Sequence, residues 1–371
     1  MVLFLHHRYR TVGGEERAVD DLLWLAREHL GLEAELLERD STLLGSARAA
    51  RGLLAGGLDP GDVAAAVRRT RARVVHAHNL LPTLGWRALA AAREAGARVV
   101  LHLHNFRLVC AVAVCFTHGE ECTRCRGRDT RPGVRLNCRG NRPEAAAYAA
   151  GLALWQRRLA AQADVIVVPS PFAAARLAEL RAPLAPERLR VLPGVVRDWE
   201  EGSRADEGAY ALVTSRLTGE KGVEVALEAC ARAGRPLVVA GDGPERDRLE
   251  AAARGEVQFR GRVDPAELAA LRRGAAVALV PTRAPETFGL AAAEAAAAGL
   301  PVVASRMGAL PDLVAPEDLV APNDPGALAA ALARRWGDAD AGRAAQARAR
   351  ELAHPDRIAA QLAALYAAVT D

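Results

Sequence analysis

Short apolar runs separated by helix-length stretches recur twice along this chain, and that rhythm leaves few folds open. The runs at residues 2–5, 33–37, 73–78, 98–103 and 164–168 have the length and branched composition of buried strands. Helical stretches at 15–29, 41–55, 60–69, 82–95 and 143–163 lie between them. A second series places strands at 210–215, 236–240, 257–260, 276–281, 301–305 and 318–321, again with helices between. The tail, 325–335 and 339–369, is helical and is interrupted by Pro355. Strand–helix alternation predicts an α/β chain with parallel sheets covered on both faces, and ligands at the carboxyl ends of the strands.

A chain of 371 residues is long enough for two cores. The expected division is a first domain over 1–195 that carries an irregular insert at 105–142, and a polar linker at 196–208. A second domain follows over 209–350, with a last helix, 351–371, packing back on the first.

A net charge of +4 and an aromatic content of 4% lack the clustered basicity and stacking platforms of a nucleic-acid binder. The N-terminal run has no basic leader, and no uncharged apolar run reaches the roughly 20 residues of a membrane span. The expectation is a soluble, cytoplasmic protein, with at most peripheral contact at the inner face of the cell membrane.

The stretch with most chemical content is 281–304. A loop carries Glu286, a helix begins near Gly289 and stops at Gly299, and Pro301 opens the next strand. Glu294 falls in the second turn of that helix, so both acids sit near its N-terminal end, where the dipole and unpaired N–H groups suit an anion. Taken alone, the pair reads equally well as solvated surface acids.

Other strand ends add to it. Arg216 and Lys221 follow the first strand of the second series and read either as surface cations or as a fork and a point charge gripping a diphosphate. Gly241-Asp242-Gly243-Pro244 and Gly13-Gly14 are turns, or places where backbone approaches a phosphate. By alternation His102 and His104 share one side of their strand, and His104, nearest its end, either faces the site or packs as a buried imidazole; His76 and His78 read as packing residues.

Five of the six cysteines crowd the insert. Cys122-x-x-Cys125, with Cys110 before and Cys138 after, has the makings of a tetrahedral structural zinc site, with Cys115 or His118 able to replace one ligand. The insert also holds Arg124, Arg126, Arg128, Arg131, Arg135, Arg139 and Arg142, which read as a solvated loop or as a surface for an anionic acceptor or membrane.

Taken together, Gly13-Gly14, His102-Leu103-His104-Asn105-Phe106-Arg107, Arg216 with Lys221-Gly222, Gly241-Asp242-Gly243-Pro244 and Glu286-x7-Glu294 resemble the retaining glycosyltransferase family 4, and the cysteines resemble a subgroup with cysteines at similar places. The resemblance implies the GT-B fold, two Rossmann-like domains facing across a cleft. The first would take a glycan or lipid-linked acceptor and the second a nucleoside-diphosphate sugar, in cell-envelope or exopolysaccharide synthesis. It assigns Glu286 to the donor sugar, Glu294 to the ribose, and Phe288, Gly289 and Leu290 amides to sugar or phosphate. Arg216 and Lys221 map to the diphosphate, Gly13 and Gly14 to the phosphates, Gly241 to the donor site, and His104 to a place beside the sugar. No catalytic metal or organic cofactor is implied, and front-face attack with retention is the favoured mechanism. A sugar-nucleotide epimerase of the same architecture and a non-catalytic metal-stapled binding protein are the competing readings.

Overall fold

Each strand returns to its sheet through a helix, so the sheets are parallel. The computed structural model describes residues 1–10 and 13–370. They form two units, one of residues 1–117, 122–195 and 355–371, the other of 118–121 and 196–354.

The first unit's strands are β1 (Val2–Arg8), β2 (Ala34–Asp40), β3 (Val74–Ala77) and β4 (Arg98–His102); the insert carries the two-residue strands β5 (Phe116–Thr117) and β6 (Glu120–Glu121), of which β6 is counted with the second unit, and β7 (Val165–Val168) and β8 (Leu189–Val191) follow. The large sheet runs β2-β1-β3-β4-β7-β8, parallel throughout. Alternation sorts the strands' side chains onto two faces. Leu3, Leu5, Val75 and Leu101 meet Val63, Leu84 and Leu89, whereas Val2, Phe4, Val74 and Val100 meet Leu22, Leu25, Ile358 and Leu362.

The last two belong to the helix Pro355–Thr370, which Pro355 opens after the chain has left the second unit at His354. Full burial of Ile358 and Leu362 stabilises this docking by about 1.5–3 kcal/mol per side chain. Tyr366 adds a hydrogen bond between its hydroxyl and His76 Nδ1 at 2.7 Å.

The second unit holds β9 (Tyr210–Thr214), β10 (Leu237–Ala240), β11 (Val257–Gly261), β12 (Ala275–Val280), β13 (Val302–Ser305) and β14 (Leu319–Val320). Their order is β11-β10-β9-β12-β13-β14, again parallel. Counted from β9 this is the 3-2-1-4-5-6 order of a dinucleotide-binding fold, with its switch point between β9 and β12. In the first unit the order reverses between β1 and β3.

Two sequence expectations need correction. β8 was not foreseen, because a three-residue Leu-Arg-Val run is too short to show a period. Residues 196–208 are not a free linker. Val196 joins the second unit's core, the Glu200 amide donates to the Ala297 carbonyl at 3.2 Å, and Gln346 Nε2 donates to the Glu200 carbonyl at 2.8 Å. A polar composition disguised a segment that packs through the Val196 and Trp199 side chains as well as through its backbone.

Several arginines of the insert are engaged within it or by the helix Arg142–Ala161 that follows. Arg131 pairs with Asp129, Arg128 donates to the Ala153 carbonyl, and Arg139 pairs with Glu144 while donating to the Ala111 carbonyl at 3.0 Å.

Candidate active site

In the second unit the loops leaving β9 and β12 meet at the switch point. Lys221 lies at the end of the β9 loop, beside Gly222, whose φ of 62° and close approach to the Pro281 carbonyl leave no room for a side chain. The Lys221 ammonium donates to Glu286 Oε1 at 2.6 Å. Glu286 is held from behind, because the Ala309 amide donates to its carbonyl at 2.9 Å and Gly308 lets the β13 loop pass against its backbone. Arg216 lies in the same loop, 3.3 Å from Glu220 Oε1, and the Glu220 carbonyl accepts from the Arg283 amide at 2.8 Å. Residues far apart in sequence thereby place a lysine, an arginine and a carboxylate at one strand edge.

The helix Leu290–Ala297 starts there, capped by Gly289 at φ 95°. Its first amides have no partner within the helix and point out of its N-terminal end, beside the half-buried Glu286. Glu294 pairs with Arg272, both side chains being mostly buried, so its carboxylate is oriented before any ligand arrives. Arg272 was not foreseen; only its arrival at the end of the helix Pro265–Arg273 brings it to Glu294. Gly241 and Gly243 have a geometric duty: a Cβ at Gly241 would stand 1.8 Å from the Ser215 carbonyl oxygen, and one at Gly243 would stand 2.4 Å from that of Leu217.

The first unit gathers a second polar group beyond β1, β3 and β4. Glu16 closes the β1 loop by accepting from the Tyr9 and Gly13 amides at 2.9 and 2.8 Å. The Gly13 amide is therefore engaged by its own chain, while the Cβ position of Gly14 faces open space. Glu15 accepts from the Tyr9 hydroxyl and from Asn105 Nδ2, both at 2.7 Å, and the Arg107 guanidinium lies 4.4 Å from the Tyr9 ring centroid. Burial raises the Glu15 carboxyl and drives the Tyr9 phenol well above its usual range. These groups, with His78 and His104, edge a cavity of about 60 Å³ whose remaining wall is largely leucine, Trp86 and Trp155. Tyr9 and Glu15 were missed from sequence, since Gly-Gly-Glu-Glu resembles any acidic helix start.

His104 sits among imidazoles. Its ring stacks on His102 at 4.0 Å between centroids, and its Nε2 lies 2.7 Å from His78 Nδ1. Nitrogens of His76, His78 and His102 lie within 4.8 Å of one another. Their rings, however, are tilted by only 10–32° to one another, whereas an ion shared by three imidazoles must lie in the plane of each. The arrangement is a stack of neutral rings rather than a chelate.

Burial holds His76 down to about 3 and His7 to about 4, with His78, His102 and His104 also well below 6.5. In the unfolded chain these groups protonate near 6.5, so below that pH the unfolded state binds more protons and stability falls. The contribution is complete above pH 6.5 and is lost as pH falls through about 4, of the order of 3 kcal/mol for His7 alone. A thermal midpoint flat above pH 6.5 and falling steeply towards pH 4 is expected; a midpoint unchanged across that window would contradict the burial argument.

The family description "Glycosyl transferase 4-like domain" matches residues 9–194, and "Glycosyl transferases group 1" matches residues 208–338. The chain belongs to the glycosyl transferase 4-like family. Among curated proteins, glycogen synthase of Mycobacterium tuberculosis is 39% identical over 137 residues, covering 33% of each chain. The GDP-mannose-dependent alpha-(1-6)-phosphatidylinositol dimannoside mannosyltransferase of that species is 42% identical over 125 residues, covering 32% of each. D-inositol 3-phosphate glycosyltransferase of Acidothermus cellulolyticus is 31% identical over 216 residues, covering 48% of each. The matches thus span from 32% to 48% of these relatives' length. The fold is shared with sucrose-phosphate synthase from Thermosynechococcus elongatus, at a TM-score of 0.71 with 20% identity over 98% of each chain. Anabaena HepE, solved with UDP and glucose, has a TM-score of 0.65 at 19% identity over 99% of each. Both place this family member among two-domain GT-B folds.

Proposed function

We propose that this chain is a retaining glycosyltransferase that moves a sugar from a nucleoside-diphosphate sugar to a glycan or lipid-linked acceptor. The observation that carries it is the Lys221–Glu286 pair at the switch point of the second unit, with Arg216 in the same loop. The second unit takes the donor. Lys221 and Arg216 neutralise the diphosphate as charge develops on it, aided by the N-terminal end of the helix Leu290–Ala297. Glu286, released from Lys221 by the incoming phosphate, accepts hydrogen bonds from sugar hydroxyls, and the Phe288, Gly289 and Leu290 amides complete the cradle. Glu294, preset by Arg272, accepts from the ribose.

Retention then follows from front-face attack. The sugar–phosphate bond breaks, the acceptor oxygen bonds to the anomeric carbon from the same face, and the departing phosphate oxygen takes the acceptor proton. Glu286 binds the sugar and forms no bond to it. The role is assigned to cell-envelope or exopolysaccharide synthesis at the inner membrane face, with no catalytic metal.

Screening UDP-, GDP- and ADP-sugars by thermal shift tests the donor site. The matching donor is expected to stabilise the protein by about 2.7 kcal/mol at a hundredfold excess over its Kd. Glu294→Gln should lose most of that shift for the free nucleoside diphosphate as well as for the sugar nucleotide. An unchanged nucleotide affinity in the variant would refute the ribose assignment, and no shift from any donor would refute the proposal.

A further inference from the structure

We propose that Cys110, Cys122, Cys125 and Cys138 hold one structural zinc-type divalent ion that staples the insert of the first unit. The proposal stands apart from the transferase reading, since it concerns none of the donor residues. Its basis is convergence. Cys110 ends the turn that begins at Phe106, Cys122 and Cys125 follow β6, and Cys138 follows the helical turn Arg131–Arg135, yet all four thiols, with Cys115, line one cavity of about 20 Å³. A space of that size admits a single water or ion.

Cys110, Cys115 and Cys125 are buried, and the Cys125 thiol donates to the Thr130 carbonyl at 3.9 Å. Cys115, more enclosed than Cys110 or Cys125, belongs behind the ligands, and its carbonyl accepts from the Cys122 amide at 2.7 Å.

The surrounding backbone also needs a restraint. Ala113, Cys115, His118 and Asn137 all adopt positive φ, a conformation that costs about 1–3 kcal/mol per residue and persists only where other forces impose it. Strands of two residues and one short helical turn supply few such forces. No three of the cysteine sulfurs lie within 4.8 Å of one another, whereas bonds of about 2.3 Å to one ion set sulfurs near 3.8 Å apart. Binding must therefore draw the thiols together and release their protons to solvent. Asn105 and Arg107, immediately before the Cys110 turn, are positioned by the same loop.

Metal analysis of protein purified under reducing conditions without added metal decides the matter. About one zinc per chain is expected, falling below about a tenth in Cys122→Ser and Cys138→Ser and persisting in Cys115→Ser. If the first two variants fail to fold, the wild-type protein still answers, because thiol titration should release the zinc in step with cysteine modification, and cobalt substitution should give tetrahedral thiolate bands. Substoichiometric metal with all six thiols reactive in the native protein, a Cys110–Cys115 or Cys122–Cys125 disulfide, or iron–sulfur absorbance would each overturn the proposal.

Discussion

Lys221→Ala should lower turnover by about 10²–10³-fold while leaving the protein folded. In the proposed reaction the lysine is a point charge beside the group that becomes a leaving diphosphate, so its effect should be greatest where negative charge accumulates, in the transition state. The fall is therefore expected in kcat and in kcat/KM together, with KM less affected. Folding persists because the Lys221–Glu286 pair is partly exposed, with side chains 23% and 21% accessible, and such pairs contribute little net stability. Lys221→Arg keeps the charge but replaces a compact ammonium by a fork, and should recover only part of the loss. Wild-type turnover in Lys221→Ala would remove the lysine from the mechanism.

Gly241→Ala should unfold or severely destabilise the second unit, by roughly 3 kcal/mol or more. Its φ of 142° disfavours any side chain, and the new Cβ would stand 1.8 Å from the Ser215 carbonyl oxygen, a backbone atom that moves only if the loop carrying Arg216 moves with it. Nucleotide binding should fall with stability. Gly14→Ala is the matched control, since nothing lies within 4 Å of its Cβ position and the residue starts a helix. That change should be neutral or slightly stabilising. An unchanged thermal midpoint for Gly241→Ala would show the β9 and β10 loops to be more yielding than their hydrogen bonds indicate.

The parallel α/β plan was legible because strands buried on both faces are uninterrupted apolar runs. β10 as Leu-Val-Val-Ala and β7 as Val-Ile-Val-Val cannot be amphipathic helices of useful length. β8 escaped because three residues carry no period, and the packing of residues 196–208 gave little signal because much of it uses carbonyls and amides, which every residue has, with only Val196 and Trp199 as apolar anchors. At the site, residue types and offsets singled out Lys221, Glu286 and Glu294. Tyr9, Glu15, Arg272 and Gly308 gave no such signal, because each matters through a partner distant in sequence.

By itself the amino-acid order determined the helix start after Gly289, the loop position of Glu286 and the crowding of cysteines into one insert, since capping, hydropathy period and spacing are local properties. Only the tertiary structure decided which distant groups meet. The strand order of the second sheet puts β9 beside β12, and with them Lys221 against Glu286, because hydrogen-bonded neighbours in a parallel sheet are chosen by the topology of the helical crossovers rather than by proximity in sequence.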